Sequence, residues 1–296
     1  MIESVIVRNR AQSLTLRLAR PEESGLVITN IDGLGPVKEE IAISNRGFLD
    51  GGYYHSSRKS PRNIVMTLKY APPVTDESVA GFTTDYTDTV AQMRHKTYKY
   101  FPQKMLLTFI FRTGLGVYRT EGYVESNEVN IFSDSCESVI SILCPNPYFQ
   151  KCEDLNGRIG LEDQLTTSAT RIDFQYHGDT PSDCMVKITK KGSTVINQVI
   201  VQNIVNGSEM ILDTSTLKDV GDFIEINTTN GRRIIVANRK SQFGGVTMPA
   251  FDLITRISNE WISVVPGENR FTISRPVTSN PDLEVSLHAP VKAVGI

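Results

Sequence analysis

The sequence predicts a mainly β protein built from two tandem antiparallel β-sandwich-like domains, residues 1–150 and 151–296, the first with one α-helix at about residues 84–101. Three observations carry this. Short runs rich in β-branched residues, several alternating apolar with polar, recur along the chain as strands with one buried face require. Turn signals built on Gly, Pro, Asp and Asn separate them at regular spacing. The pattern stops at Pro145 and Pro147 and then restarts, because proline cannot donate to a sheet ladder.

In the first half, "SVIVRN", "SLTLRL", "LVITNI", "KEEIAIS" and "RNIVMTLKYA" read as strands, joined by the turn segments "PEESG", "DGLGP" and "LDGGYY". Asp50-Gly51-Gly52 has the chemistry of a hairpin turn with positive φ angles. One segment breaks the β pattern. Tyr86, Val90, Met93, Thr97 and Phe101 recur at helical spacing, Thr84 or Asp85 is placed to cap the first turn, and Pro102 ends it. This apolar stripe is a packing face. "KMLLTFIFR" follows, apolar on both faces, as a central strand covered by that helix on one side. "GVYRTEGYVESNEV" and "SCESVISILCP" then form a long strand and a return strand, with Cys136 and Cys144 an even number of residues apart and so on one face.

The second half carries strands of similar length in "TRIDFQYHG", "CMVKITKKG", "VINQVIVQNI", "SEMILDTS", "FIEINTTNGRRIIVAN", "WISVVPGENRFTIS" and "LEVSLHAP". Asn230-Gly231 inside the fifth of these marks a tight hairpin. Regular strands with little helix describe a β-sandwich or jelly-roll-like module.

Composition narrows the function. With 31 basic and 33 acidic residues the net charge is -2, so no overall field draws the chain to nucleic acid or to an anionic membrane. The first residues alternate and carry Arg8, Arg10, Arg17 and Arg20, unlike the apolar core of a signal peptide. No run approaches the roughly 18 apolar residues of a membrane helix. The expectation is a chain made in the cytoplasm, without membrane insertion. Cys136, Cys144, Cys152 and Cys184 form no Cys-x-x-Cys pair and the four histidines are scattered, so neither a metal nor a cofactor is predicted.

Motifs for catalysis are equally sparse. Gly33/Gly35 and Gly114/Gly116 imitate a phosphate loop, but both pairs join strand to strand, and that motif needs a helix N-terminus. Glu121 and Glu125 share a strand face, as polar sheet faces commonly arrange. No nucleophile elbow, zincin helix or phosphate-loop lysine occurs, and no enzyme is predicted. Arg58, Lys59 and Arg62 form a basic cluster read first as the solvated start of a strand and second as a partner contact. Trp261 reads as a half-buried core residue, or as a sugar-stacking platform if the chain is a lectin-like module.

The order of "DGLGP", "DGGYYHSSRKSPRNI", the single helix, "EGYVESNEVNIFS" and "VISILCPNPYF" resembles the N-terminal domain of the distal tail protein of long-tailed, siphovirus-type phages. "FQYHGDTPSDCMVKITKKG" followed by "VPGENRFTI" is similar to that family's C-terminal, galectin-like sandwich. The resemblance implies a virion structural protein at the tail tip. It implies a homo-hexameric ring, with the tail tube protein on one face and baseplate hub or receptor-binding proteins on the other. DNA would be only cargo passing through the channel. It also makes Asp50, Gly51, Gly52, Tyr53 and Tyr54 candidate oligomer or partner contacts, beside Arg58 and Arg62 from the basic cluster. The alternative is a carbohydrate-binding module that uses Trp261; Asn259, Glu260, Glu268, Asn269 and Arg270 around it do not make up the polar set of a sugar-binding galectin.

Overall fold

The structure, a computed structural model, describes residues 2–9, 12–17, 24–47, 50–71, 86–130, 136–166, 171–229, 233–240, 244–258, 260–274 and 283–296. It is mainly β, with antiparallel sheets and one α-helix among the described residues. The chain divides into two compact units, Met1–Arg158 with Ala293–Ile296, and Ile159–Lys292. The division thus falls after Arg158 instead of residue 150, and the second unit is an insertion in the first. The reason for the later boundary is local. Residues 149–152 still pair into the first unit's sheet, and the following turn is held there by Arg8, which donates to the Asn156 carbonyl at 2.5 Å and the Leu155 carbonyl at 3.1 Å.

The first unit contains β1 (Ile2–Arg8), β2 (Ser13–Arg17), β3 (Leu26–Asp32), β4 (Glu39–Asn45), β5 (Gly52–Lys59), β6 (Arg62–Tyr70), α1 (Tyr86–Tyr100), β7 (Leu106–Thr113), β8 (Gly116–Asn130), β9 (Glu137–Cys144) and β10 (Phe149–Cys152). Its main sheet runs β2-β1-β7-β8-β9-β6-β3. β2 and β3, at the two ends of that order, approach each other, so one continuous sheet curls around the core. Period-2 alternation aims the side chains inward: Val5 and Val7, Leu14 and Leu16, Ile64, Met66 and Leu68, Phe109 and Phe111, and Ile140 and Ile142 are all buried in one cluster. Val90, Met93 and Tyr100 of α1 lie partly buried on this cluster, and Phe101 at its end is fully buried. The expected cap residues Thr84 and Asp85 lie outside the described residues.

β7 is the central strand that its two apolar faces predict, bonded to β1 on one side and β8 on the other. Its outer face is covered locally, since Ile110 is buried and lies against Gly157 of the 153–158 turn. The long β8 is shared. Its beginning pairs with β10 (Val117 opposite Cys152) and its end with β9, with a bulge between Val124 and Ser126. The bulge changes which residues point inward, so that Val129 reaches the core and the Asn127 amide donates to Thr97 Oγ1 of α1 at 3.4 Å.

The second unit contains β11 (Leu161–Thr166), β12 (Arg171–Tyr176), β13 (Ser182–Asp183), β14 (Met185–Lys190), β15 (Gln198–Asn203), β16 (Ser208–Asp213), β17 (Phe223–Asn227), β18 (Ile234–Asn238), β19 (Thr247–Pro249), β20 (Ile254–Ile257), β21 (Ser263–Val264), β22 (Gly267–Ser274) and β23 (Leu283–Pro290). Two antiparallel sheets, β11-β23-β14-β17-β18-β19 and β12-β22-β15-β16-β20, contribute to one core. Val186, Ile188, Ile224, Ile226, Val285 and Leu287 come from the first sheet, and Phe174, Val199, Val201, Met210, Leu212 and Phe271 from the second. This is a β-sandwich. β17 and β18 pair as a hairpin, but the Asn230-Gly231 turn lies outside the described residues. A last short strand, β24 (Lys292–Ala293), pairs with β10 and returns the chain to the first unit.

Candidate functional site

β4 and β5 form a two-stranded sheet of their own, and among the described residues neither pairs with any other strand. Every residue of β4 is exposed, and every residue of β5 but Lys59. Ile41 (56%), Ile43 (60%), Tyr53 (56%) and Tyr54 (64%) are more than half exposed. An isolated two-stranded hairpin is marginal in water, and two isoleucines with two tyrosines on it form an unusual concentration of bare apolar surface.

Local chemistry builds the hairpin. The Arg46 amide donates to the Gly51 carbonyl at 3.4 Å, with Gly51 at φ +89°, which closes the turn. At Gly52 a Cβ would stand 2.4 Å from Ile43 Cγ2, so glycine there leaves Ile43 its place across the ribbon. His55 is the extra residue of a bulge opposite Ala42 and Ile43, and its Nε2 lies 2.7 Å from Ser44 Oγ. The bulge has a consequence for the faces. Tyr54 and Ser57 are three residues apart and would point to opposite faces in a regular strand, yet the Tyr54 hydroxyl bonds Ser57 Oγ at 3.0 Å. Ile41, Ile43 and Tyr54 therefore line one face. Tyr53, opposite Ser44, lies on the other under the Arg46 guanidinium, 4.4 Å from the ring centre.

At the root, Arg58 Nε donates to Glu40 at 2.7 Å, and this bond holds the Glu40 carboxyl below the usual carboxylate range. Both side chains are open to water, so the pair orients the strands more than it stabilises them. Six of the seven residues that the sequence singles out as contacts (Asp50, Gly51, Gly52, Tyr53, Tyr54, Arg58) thus sit together on β5 and its turn, all exposed.

The seventh does not. Arg62 is fully buried and offers nothing to a partner. It has the same strand parity as Ile64, Met66, Leu68 and Tyr70, so β6 turns it inward with them. Its guanidinium lies 4.2 Å over the Phe149 ring, and it donates to the carbonyls of Gly33, Gly35, Pro147 (twice) and Val294 at 2.6 to 3.0 Å. The basic cluster is one exposed residue paired to Glu40, one stacked on Tyr148 (Lys59, 4.8 Å) and one sealed inside.

The first unit also bares a row across its outer face. Leu106, Tyr123 and Leu143 stand opposite one another on β7, β8 and β9, each exposed. A cleft of about 620 Å³ lined by Arg8, Lys104, Met105, Leu106 and Tyr123 opens beside it.

The catalytic look-alikes resolve into structure. Gly114-Leu115 joins β7 to β8 as a hairpin turn, with Thr113 Oγ1 taking the Leu115 amide at 3.1 Å. Glu121 is bound by Arg119, and Glu125 accepts from Ser141 Oγ at 2.9 Å. Trp261 rests partly buried on the second unit's core with the Arg233 guanidinium 5.4 Å over its ring, so a sugar would have to displace that cation. Asn259 lies outside the described residues. Asn269 is buried, and its side chain is spent on Asn203, Val265 and Gly267. Among the described residues no three His, Cys, Asp or Glu side chains are grouped to hold a metal, and no helix is long and apolar enough to cross a membrane. All four cysteines are free thiols and buried, Cys136 and Cys144 on the inward face of the β9 run.

What sequence reasoning missed is β5 as a strand. "GYYHSSRK" places Tyr53 beside Tyr54 and is otherwise polar, so it shows no alternation; its signal was the neighbouring Gly51-Gly52 turn and the register it imposes on β4.

No protein-family model matches the sequence, and no curated protein is detectably similar to it. Among solved structures the fold matches the SPP1 Dit (gp 19.1) protein, described as a paradigm of the hub adsorption apparatus in phages that infect Gram-positive bacteria. The TM-score is 0.64 at 10% identity, over 97% of this chain and 98% of that one. Chains of the phage P2 baseplate in its activated conformation, with Ca and with Sr, overlap at TM-scores of 0.44 and 0.43, each at 10% identity. They cover 100% of both chains in the first case and 99% of both in the second. The first of these matches shows that the chain has the fold of a phage tail hub protein over nearly its whole length.

Proposed function

We propose that the chain is a phage virion structural protein, a distal tail hub whose copies close into a hexameric ring at the tail tip. The ring joins the tail tube on one face to baseplate or tail-tip proteins on the other, with DNA crossing its channel as cargo. The observation that carries this reading is the β4–β5 hairpin, an exposed ribbon that carries Ile41, Ile43, Tyr53 and Tyr54 more than half bare and, among the described residues, pairs with no other strand. Such a ribbon suits strand addition or docking onto a neighbour. The fold shared with the SPP1 hub protein supports it, as does the resemblance of the sequence itself.

Magnitudes argue for a closed ring over a single contact. Burying Ile41, Ile43, Tyr53 and Tyr54 from half exposure returns about 3–6 kcal/mol at roughly half the value of a fully buried side chain. Association costs about 4–15 kcal/mol in lost freedom. The hairpin therefore needs further interface, and a cyclic assembly requires a second, different surface on each copy. The Leu106–Tyr123–Leu143 row is the second apolar surface on offer. In this reading the second unit is the family's galectin-like sandwich and projects partner-binding surface, not chemistry, and the chain is not an enzyme.

Negative-stain images of the purified chain are the test. Six-fold rings support the proposal, and single small particles at high concentration contradict it.

A further inference from the structure

Arg62 and Val294–Ile296 hold the residues at the root of the hairpin. Gly33 and Gly35, whose carbonyls Arg62 Nη1 holds at 2.6 and 2.7 Å, precede β4, and Arg62 itself opens β6 just after β5. Only Pro36, Val37 and Lys38 separate Gly35 from β4 on one stem, and only Ser60 and Pro61 separate β5 from Arg62 on the other. Each short stem contains a proline with fixed φ, and the two stems are tied by the Ser60 amide to the Lys38 carbonyl at 3.3 Å. Whatever holds Gly33–Gly35 and Arg62 therefore sets the direction in which the hairpin leaves the sheet.

The holding group is assembled from distant parts of the sequence. Arg62 Nη2 binds the Pro147 and Val294 carbonyls at 2.7 Å each, the Ile296 amide donates to the Leu34 carbonyl at 3.1 Å, and a Cβ on Gly295 would stand 3.1 Å from that same carbonyl. Gly33 is equally tight: at φ +84° its absent Cβ would fall 1.9 Å from the Asn63 carbonyl oxygen. A planar fork with five donors is the side chain that can bridge so many carbonyls at once.

We propose that Arg62 is a positioning residue and Val294–Ile296 its latch, together aiming the β4–β5 hairpin for engagement with a neighbouring subunit. The partner in this statement rests on the ring reading above; the latch itself is a property of the single chain. Lysine cannot replace Arg62, because one ammonium cannot span Gly33, Gly35, Pro147 and Val294 together.

The test compares the full chain with Arg62→Lys and with a variant lacking Val294–Ile296, by amide hydrogen exchange and by mass in solution. Exchange at the Ser60 amide and along the β4–β5 ladder is expected to quicken about tenfold or more, as for loss of one hydrogen bond to a charged group, while the β1–β7–β8 ladder keeps its protection. The variants should also need about tenfold more protein to assemble, since a mis-aimed hairpin is a fractionally competent one. Unchanged hairpin exchange in the shortened variant overturns the latch even if wild-type rings form. So does an equal quickening across all strands, which would make these contacts general stability alone. If the wild type forms no ring, the ring reading fails and the exchange pattern still decides the latch.

Discussion

Arg62 shows how a residue type misleads when its neighbours are unknown, whereas Trp261 is the half-buried core residue that its first reading gives. An arginine in the run "SSRKSPRN" suggests a solvated cation, and the sugar platform is only the alternative reading of a lone tryptophan. Packing makes the first a buried tie among backbone carbonyls and places the second under Arg233. The cysteines behave as their apolar surroundings require. Burial pushes the Cys144 and Cys152 thiols up to about 11 and the Cys184 thiol higher still. A neutral, buried thiol is a poor nucleophile, so alkylating reagents near neutral pH should modify the cysteines only when denaturant is added. Rapid labelling of the native chain would contradict their placement. The same shifts carry a sign for stability. As pH rises from about 9 toward 11 the unfolded chain gives up thiol protons that the folded chain keeps, so stability falls across that window. Urea midpoints should decline there, and the decline should be shallower in Cys144→Ala than in the wild type.

At the scale of elements, strands with one buried face were legible, and of the two exposed strands of the hairpin β4 was legible and β5 was not. β6 and β9 alternate cleanly because each has a core on one side only, and β7 reads as central because Ile110 is buried on its outer face while Leu107, Phe109 and Phe111 face the core. The Pro145/Pro147 stop falls where expected, between β9 and β10. β5 escaped because its two apolar residues, Tyr53 and Tyr54, are adjacent and the rest is polar, whereas the equally exposed β4 keeps an alternation through Ile41 and Ile43. The parity of Arg62 with Ile64 and Met66 was the one signal that could have placed it inside. The candidate site was therefore half legible: its turn through glycine chemistry, its strand only through the turn. A direct expectation follows for the hairpin. Ile43→Asp or Tyr54→Asp puts a charge on its bare apolar face, away from any core. Each should change thermal stability by less than about 0.5 kcal/mol, as surface substitutions do, yet abolish assembly by burying an unpaired charge at the interface. Circular dichroism melts and sedimentation on the same samples check both halves. A variant that loses its fold, or one that assembles normally, removes the hairpin from the ring contact.

The whole molecule is two cores on one chain, with Ile159–Lys292 inserted between the main part of the first unit and its last residues. Each core gathers its own buried residues, so calorimetry should resolve two unfolding transitions where a single domain shows one. One sharp transition for the full chain would contradict that independence. The return of Ala293–Ile296 was not legible, because a pairing that bridges sequence-distant strands leaves no local pattern. The bare apolar side chains of β4–β5, with the Leu106–Tyr123–Leu143 row, are the surfaces on which the proposed assembly rests. The mass of the purified chain by light scattering tests this most directly. A hexameric ring has about 197 kDa, six times 32.9 kDa, and should revert to the single-chain value in Ile43→Asp; a wild-type mass of 32.9 kDa at every concentration would contradict the ring.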